Sequence, residues 1–105
     1  MLMMTMMLIA ASPNPQSLDA PRKAYSACIR DVEKKSMDGK VTAEVHGAAL
    51  RASCQAQADR LTAALVAYDV AMGSKRAAAT ASAATDVADY VTTSEERFKD
   101  MTAPH

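Results

Sequence analysis

Two cysteines, Cys28 and Cys54, stand on either side of the clearest turn in the chain, Ser36-Met37-Asp38-Gly39-Lys40-Val41-Thr42. Position 28, reflected through a turn centred near position 41, falls on position 54. Two antiparallel helices joined there would bring the two sulfurs level. This register constrains the fold more than any other feature. A redox-active pair is more often C-x-x-C, a haem site is C-x-x-C-H, and a zinc site needs more Cys or His at short spacing. None of these is present. An even cysteine count in a small exported domain reads as one structural disulfide, Cys28 to Cys54. The alternative is a pair of free buried thiols in a cytosolic protein.

The first residues favour export. No charged residue occurs before Asp19. Residues 1–11 are almost wholly apolar, and residues 12–20 carry two prolines and small polar side chains. An apolar stretch of about 7–15 residues followed by small and turn-forming ones is the pattern of a secretory signal peptide. Ala11 or Ser17 is expected as the last residue removed, because Ser12 and Ala20 each precede a proline. Residues 1–18 are therefore expected to be a signal peptide and a disordered linker. Thioethers suit Cu(I), but the methionines at 1, 3, 4, 6 and 7 read better as interchangeable apolar filler of the signal. No metal and no cofactor is expected.

Periodicity predicts three helices over about 20–37, 43–72 and 75–101. In the first, Asp19 is the expected N-cap, Pro21 sits in the first turn, and Tyr25, Cys28, Ile29 and Val32 form a narrow apolar stripe. Gly39 is the expected left-handed cap. The second helix starts after Thr42. Its seam is Leu50, Cys54, Gln57/Ala58, Leu61, Leu65, Tyr68 and Met72, in steps of three and four. Gly47 is an internal flaw worth about 1 kcal/mol against alanine, and Gly73 ends the helix. The third starts after Ser74 and places Val87, Val91, Ser94, Phe98 and Met101 on one face. The expected fold is an all-α, three-helix antiparallel bundle with one inter-helix disulfide.

Helix lengths do not match. The first measures roughly 27 Å and the other two roughly 45 Å at 1.5 Å per residue. By the same reflection the first helix runs out near position 62 of the second. Only 18 residues after Asp19 are Leu, Ile, Val, Met, Phe or Tyr, and 23 residues of the chain are alanine. A core this thin is marginal. A surplus apolar patch is therefore expected at Leu65, Val66, Tyr68 and Met72, and exposed stripes of this kind mark association sites. Residues 12–19, a second copy of the chain or an envelope protein would cover it. Otherwise the long helices bend and the alanines close the gap.

Charge and motifs exclude several functions. Twelve Lys and Arg balance twelve Asp and Glu. Even the most basic segment, 19–40, carries six cations against four acids, a balance of +2. Nucleic-acid binding needs clustered cations, so none is expected. No apolar run reaches the roughly 20 residues of a membrane span. H-E-x-x-H, G-x-S-x-G and Walker motifs are absent. Thr42, Ser53 and Ser94 have no evident base, and Asp86 with Asp89 reads as a solvated helix face. His46 and Glu44, two apart, point in different directions on a helix.

The stretches Ala24-Tyr25-Ser26-Ala27-Cys28-Ile29-Arg30-Asp31, 69–78 and Asp86-Val87-Ala88-Asp89-Tyr90 resemble small exported helical proteins of alphaproteobacteria that have no assigned activity. The resemblance implies export and a helical fold and carries no catalytic or site residues. The chain is expected to be a periplasmic or secreted, non-enzymatic structural or protein-interaction module. The competing expectations are a cytosolic helical regulator with free thiols and a thiol-redox protein using Cys28 and Cys54.

Overall fold

The structure, a computed structural model, describes residues 14–104. Among them it is all-helical, with four α-helices where three were expected. They are α1 (Asp19–Gly39), α2 (Ala43–Ser53), α3 (Gln55–Ala71) and α4 (Arg76–Thr102). The extra helix arises because the expected second helix is interrupted at one residue, Cys54, with φ −111° and ψ 17°. Hydrogen bonds continue on both sides, from Cys54 N–H to the Leu50 carbonyl and from Ala58 N–H to the Cys54 carbonyl, each 2.9 Å. The break falls where the chain is tied sideways to α1. The Cys28 and Cys54 sulfurs lie at disulfide distance, 2.04 Å, with 5.9 Å between the Cα atoms. Cys28 Sγ also sits 3.7 Å from the Ser53 carbonyl oxygen.

Helix ends follow local chemistry. Thr42 caps α2, its hydroxyl oxygen accepting the Val45 N–H at 3.2 Å. Three expected caps move by one residue. The left-handed position after α1 belongs to Lys40 (φ 54°), whose N–H reaches the Met37 carbonyl, and not to Gly39. Asp19 opens the first turn of α1 instead of capping it, because a turn of 3-10 helix, Pro15–Leu18, leads straight into it. Lys75, not Ser74, precedes α4 and makes no side-chain cap bond. Gly73 (φ 109°) supplies the chain reversal after α3, as expected.

α1 and α4 run parallel, both antiparallel to α2 and α3. The Tyr25 and Tyr90 rings pack with centroids 5.0 Å apart and planes tilted by 39°, and Glu33, eight residues on, reaches Arg97. Tyr25, Ile29, Val32, Leu50, Cys54, Leu61 and Val91 form the middle of the core. Burial raises the Tyr25 hydroxyl above its ordinary pKa, with Tyr90 adding to the effect and Arg51 opposing it.

The length mismatch is resolved at the start of the chain. Residues 15–18, expected as linker, form the 3-10 turn, whose N-terminus Asn14 caps by accepting the Gln16 N–H. Leu18 is buried, and the turn packs on both α1 and α3. Alanines do the rest, with Ala79 and Ala83 of α4 each 1% exposed. The four residues expected as a surplus patch are therefore separated. Leu65 and Val66 are buried, Tyr68 is half-buried, and Met72 alone is well exposed, at 60%. The expected signal peptide, residues 1–11, and its methionines lie outside the described residues. No helix among the described residues is long and apolar enough to cross a membrane.

Replacing both cysteines with alanine is expected to lower the unfolding free energy by about 3–4 kcal/mol on the loop-entropy model. Urea denaturation measures this, and an unchanged midpoint would show that the link adds nothing.

Candidate functional site

The end of the bundle beyond the cystine holds the polar chemistry. Continuing the α1 stripe by one turn reaches Glu33 and Ser36. Stepping back four from Leu50 reaches His46. The α4 face continues through Ser94 to Phe98. All five side chains are buried, with His46, Ser94 and Phe98 at 0% exposure. His46 stacks on Phe98 at 4.4 Å between centroids, only 17° from parallel.

The polar groups form a directed chain. Glu33 Oε2 accepts from Ser94 Oγ at 2.5 Å and from Arg97 Nε at 3.2 Å, with Arg97 Nη2 as a further donor. A carboxylate only accepts, so the Ser94 hydroxyl proton points at Glu33. The Ser94 oxygen is then free to accept from His46 Nε2–H at 3.0 Å. In a neutral ring His46 Nδ1 must accept, and Ser36 Oγ donates to it at 2.8 Å. Burial lowers the His46 pKa. Glu33 and Glu95 pull it up more weakly, and Arg97 pushes it down. The neutral ring is therefore favoured, and every buried hydrogen-bonding atom of His46 and Ser94 has a partner.

A serine, a histidine and a glutamate in contact suggest nucleophilic catalysis, but the order is different. In a hydrolase triad the imidazole takes the serine proton and the carboxylate holds the other ring nitrogen. Here the carboxylate takes the serine proton and the imidazole donates to the serine oxygen. With Ser94 fully buried, this geometry locks α1, α2 and α4 together and keeps the hydroxyl from an incoming carbonyl.

Gly47 belongs to the same end, where the expected loss of helix propensity goes with a close approach of Glu95. A Cβ on Gly47 would collide with the Glu95 carboxylate, lying 2.7 Å from its Cδ and 3.2 Å from Arg51 Nη1. Glu95 therefore lies directly over α2, with Arg51 Nη2 3.8 Å from its Oε1. The bare backbone at Gly47 gives the Glu95 carboxylate its seat.

What remains open is a groove of about 480 Å³ between α1 and α4. Ile29 and Tyr90 give it apolar surface. Asp86 and Asp89 stand towards one end, Arg30, Glu33 and Arg97 towards the other, with Ser26 and Thr93 between. Arg97 and Glu33 pair with each other, whereas Asp86 and Asp89 have no ion-pair partner among the described residues. Among the described residues no cluster of three His, Cys, Asp or Glu is placed to hold a metal ion. Sequence reasoning passed over His46, Glu33 and Ser36, although each lies one helical step beyond an apolar stripe. That spacing was the available signal. Comparison with protein-family models, with curated proteins and with solved structures returns no match.

Three measurements test the site. Ser94→Ala leaves the His46 N–H and the Glu33 carboxylate each short of a partner, and is expected to cost about 1–3 kcal/mol. Thr93→Ala, at an exposed neighbour, is expected to stay within about 0.5 kcal/mol. Gly47→Ala sets about 1 kcal/mol of gained helix propensity against displacement of the flexible Glu95 chain end. It is expected to change stability by no more than about 1 kcal/mol, and to stabilise by up to about 1 kcal/mol in a Glu95→Ala background. A double-mutant cycle by chemical denaturation reads this. The His46 pKa is lowered in the folded chain, so the unfolded chain binds more protons below the ordinary histidine range. Its contribution to stability is complete above about pH 6.5. That contribution falls away as pH drops towards the folded value, by at most about 1.4 kcal/mol per pH unit. NMR titration of the His46 ring, with denaturation at matched pH, checks the sign.

Proposed function

We propose that this chain is an exported, disulfide-stapled helical module that acts by binding in the periplasm or outside the cell, without chemistry of its own. One observation carries this reading. The only histidine–serine–carboxylate constellation among the described residues is sealed in the core and spends its hydrogen bonds on holding three helices together. The most spacious of the open features with mixed polar and apolar character is the groove between α1 and α4, about 480 Å³ against about 360 Å³ for one between α1 and α2. The cystine spacing and the apolar leader support export, and the resemblance to small exported helical proteins points the same way. Cleavage after Ala11 suits the fold better than cleavage after Ser17. The later cut would remove Asn14, which caps the turn that seats Leu18 on α3.

The test is the intact mass of the protein from its native cells, with thiols alkylated before and after reduction. The expected mass lacks residues 1–11 and two hydrogens. A full-length mass with two alkylated thiols would overturn export and the staple and favour the cytosolic regulator. For the binding half, a photo-crosslinker at Thr93 in the groove is expected to capture a partner that the same probe at Lys35, outside the groove, does not. Equal capture from both positions counts against the groove.

A further inference from the structure

We infer that a second groove, between α4 and the pair α2 and α3, binds a short-chain monocarboxylate, whose head meets the Tyr25 hydroxyl and the Arg51 guanidinium while its alkyl tail lies on alanines of α3 and α4. This goes beyond the binding role proposed above and concerns a different face of the bundle. The end of one side chain carries it. Tyr25 belongs to α1 and is 2% exposed, with its ring packed on Tyr90. It is nevertheless the one residue of α1 in the wall of this groove, which α2, α3 and α4 otherwise build. The side chain therefore crosses the core and ends on the far side. Its hydroxyl makes no hydrogen bond to any described residue. Nor is the hydroxyl sealed in, because Gln57 Oε1 is the one fully buried side-chain oxygen or nitrogen without a partner among the described residues. A buried tyrosine normally finds a partner for its hydroxyl. Here the groove is where a partner can reach it.

The wall selects the chemistry of the head. Arg51 is its one ionised residue. Burial dominates the surroundings of the Tyr25 hydroxyl, and the Arg51 charge is the opposing influence felt there. The guanidinium side chain is 60% exposed, and its ion pair is a long one, 3.8 Å to Glu95. A guanidinium only donates and a phenol donates readily, so two donors converging on one place call for an acceptor. A carboxylate takes both and gains charge assistance from Arg51. Asp59 does not compete, because it stands outside the wall and takes the Gln55 side-chain amide at 2.7 Å. Glu95 does compete, and its long contact is the one that a ligand carboxylate displaces.

The rest of the wall selects the tail. Ala58, Ala84 and Ala88 leave the floor open, with Val87 and Val91 beside them. The groove holds about 260 Å³. That is below the roughly 300–1,000 Å³ of pockets for drug-sized ligands, so the tail is short.

The experiment titrates the oxidised full chain with acetate, hexanoate, hexanamide and hexylamine, following backbone amides by NMR. Hexanoate is expected to give saturable shifts centred on Arg51, Gln55, Ala88 and Thr92. Acetate, which lacks the tail, and hexanamide, which lacks the charge, should each bind about tenfold more weakly or worse. Hexylamine should not bind. Tyr25→Phe keeps the ring, so the thermal midpoint of the free chain should stay within about 2 °C while hexanoate weakens about tenfold. Arg51→Gln should weaken it by a similar factor. Glu95→Gln frees Arg51 and should tighten it about twofold. Ala88→Leu, at an exposed position of α4, fills the floor and should abolish saturable binding. No saturable shift with hexanoate, equal binding of acetate, hexanamide or hexylamine, or an affinity unmoved by Tyr25→Phe or by Ala88→Leu would overturn the site. A chain processed and crosslinked at Thr93 as proposed, yet silent to hexanoate, would overturn this inference alone.

Discussion

The carboxylate of Glu33 is the point on which the polar end of this bundle depends. It stands in the core face of α1, where a bare negative charge would be costly to bury. Two residues of α4 make it tolerable, Arg97 from the solvent side and Ser94 from within. Those bonds fix the register of two parallel helices that share no turn. They also orient the Ser94 hydroxyl, which sets the tautomer of His46, which in turn fixes where Ser36 donates. Once that line is drawn, α2 has one rotation about its axis that fits, and the bare backbone at Gly47 receives the Glu95 carboxylate from α4.

The opposite end is held together by other means. α3 supplies Leu61, Leu65 and Val66 there, while on the α4 side large side chains are scarce and closeness replaces bulk. Ala58, Ala79 and Ala83 bring α3 and α4 near each other, and Leu18 fills the space that α1 is too short to reach. The cystine sits between the two regimes. It joins α1 to the one position where the long descending helix loses its regularity, so a single cross-link anchors both α2 and α3.

The parts of this arrangement that obey a period were readable from the sequence. The helical class, the pairing of Cys28 with Cys54 and the seam through Leu50, Leu61 and Leu65 follow from spacing alone. The break at Cys54 was not, because nothing in Ala52-Ser53-Cys54-Gln55 is a helix breaker; it shows only against a neighbouring helix. Cover from residues 12–19 was one of the expected outcomes, but Leu18 as the residue that provides it was hidden by its company, since a lone leucine among prolines and serines reads as linker. The site was the least legible. Ser94 was legible as a member of the inward face of its helix, but Glu33, Ser36 and His46 continue apolar stripes that each one alone does not announce. Their meaning is pairwise and long-range, with 61 residues between Glu33 and Ser94 and 48 between His46 and Ser94. The approach of Glu95 to Gly47 was hidden for the same reason, because propensity describes an isolated helix and Glu95 comes from another.

The single-residue break at Cys54 has a consequence for how the protein responds to its surroundings. It divides the molecule into an end built on protonation states and ion pairs and an end built on apolar contact. The first is sensitive to acidity and ionic strength. The second follows temperature through the heat capacity of hydrated apolar surface. α1 and α4 run unbroken past the boundary, so loosening one end is felt at the other, and the cystine limits how far α1 can part from the descending pair. A bundle of this kind meets acid and heat at opposite poles, with the covalent link as the common floor beneath both.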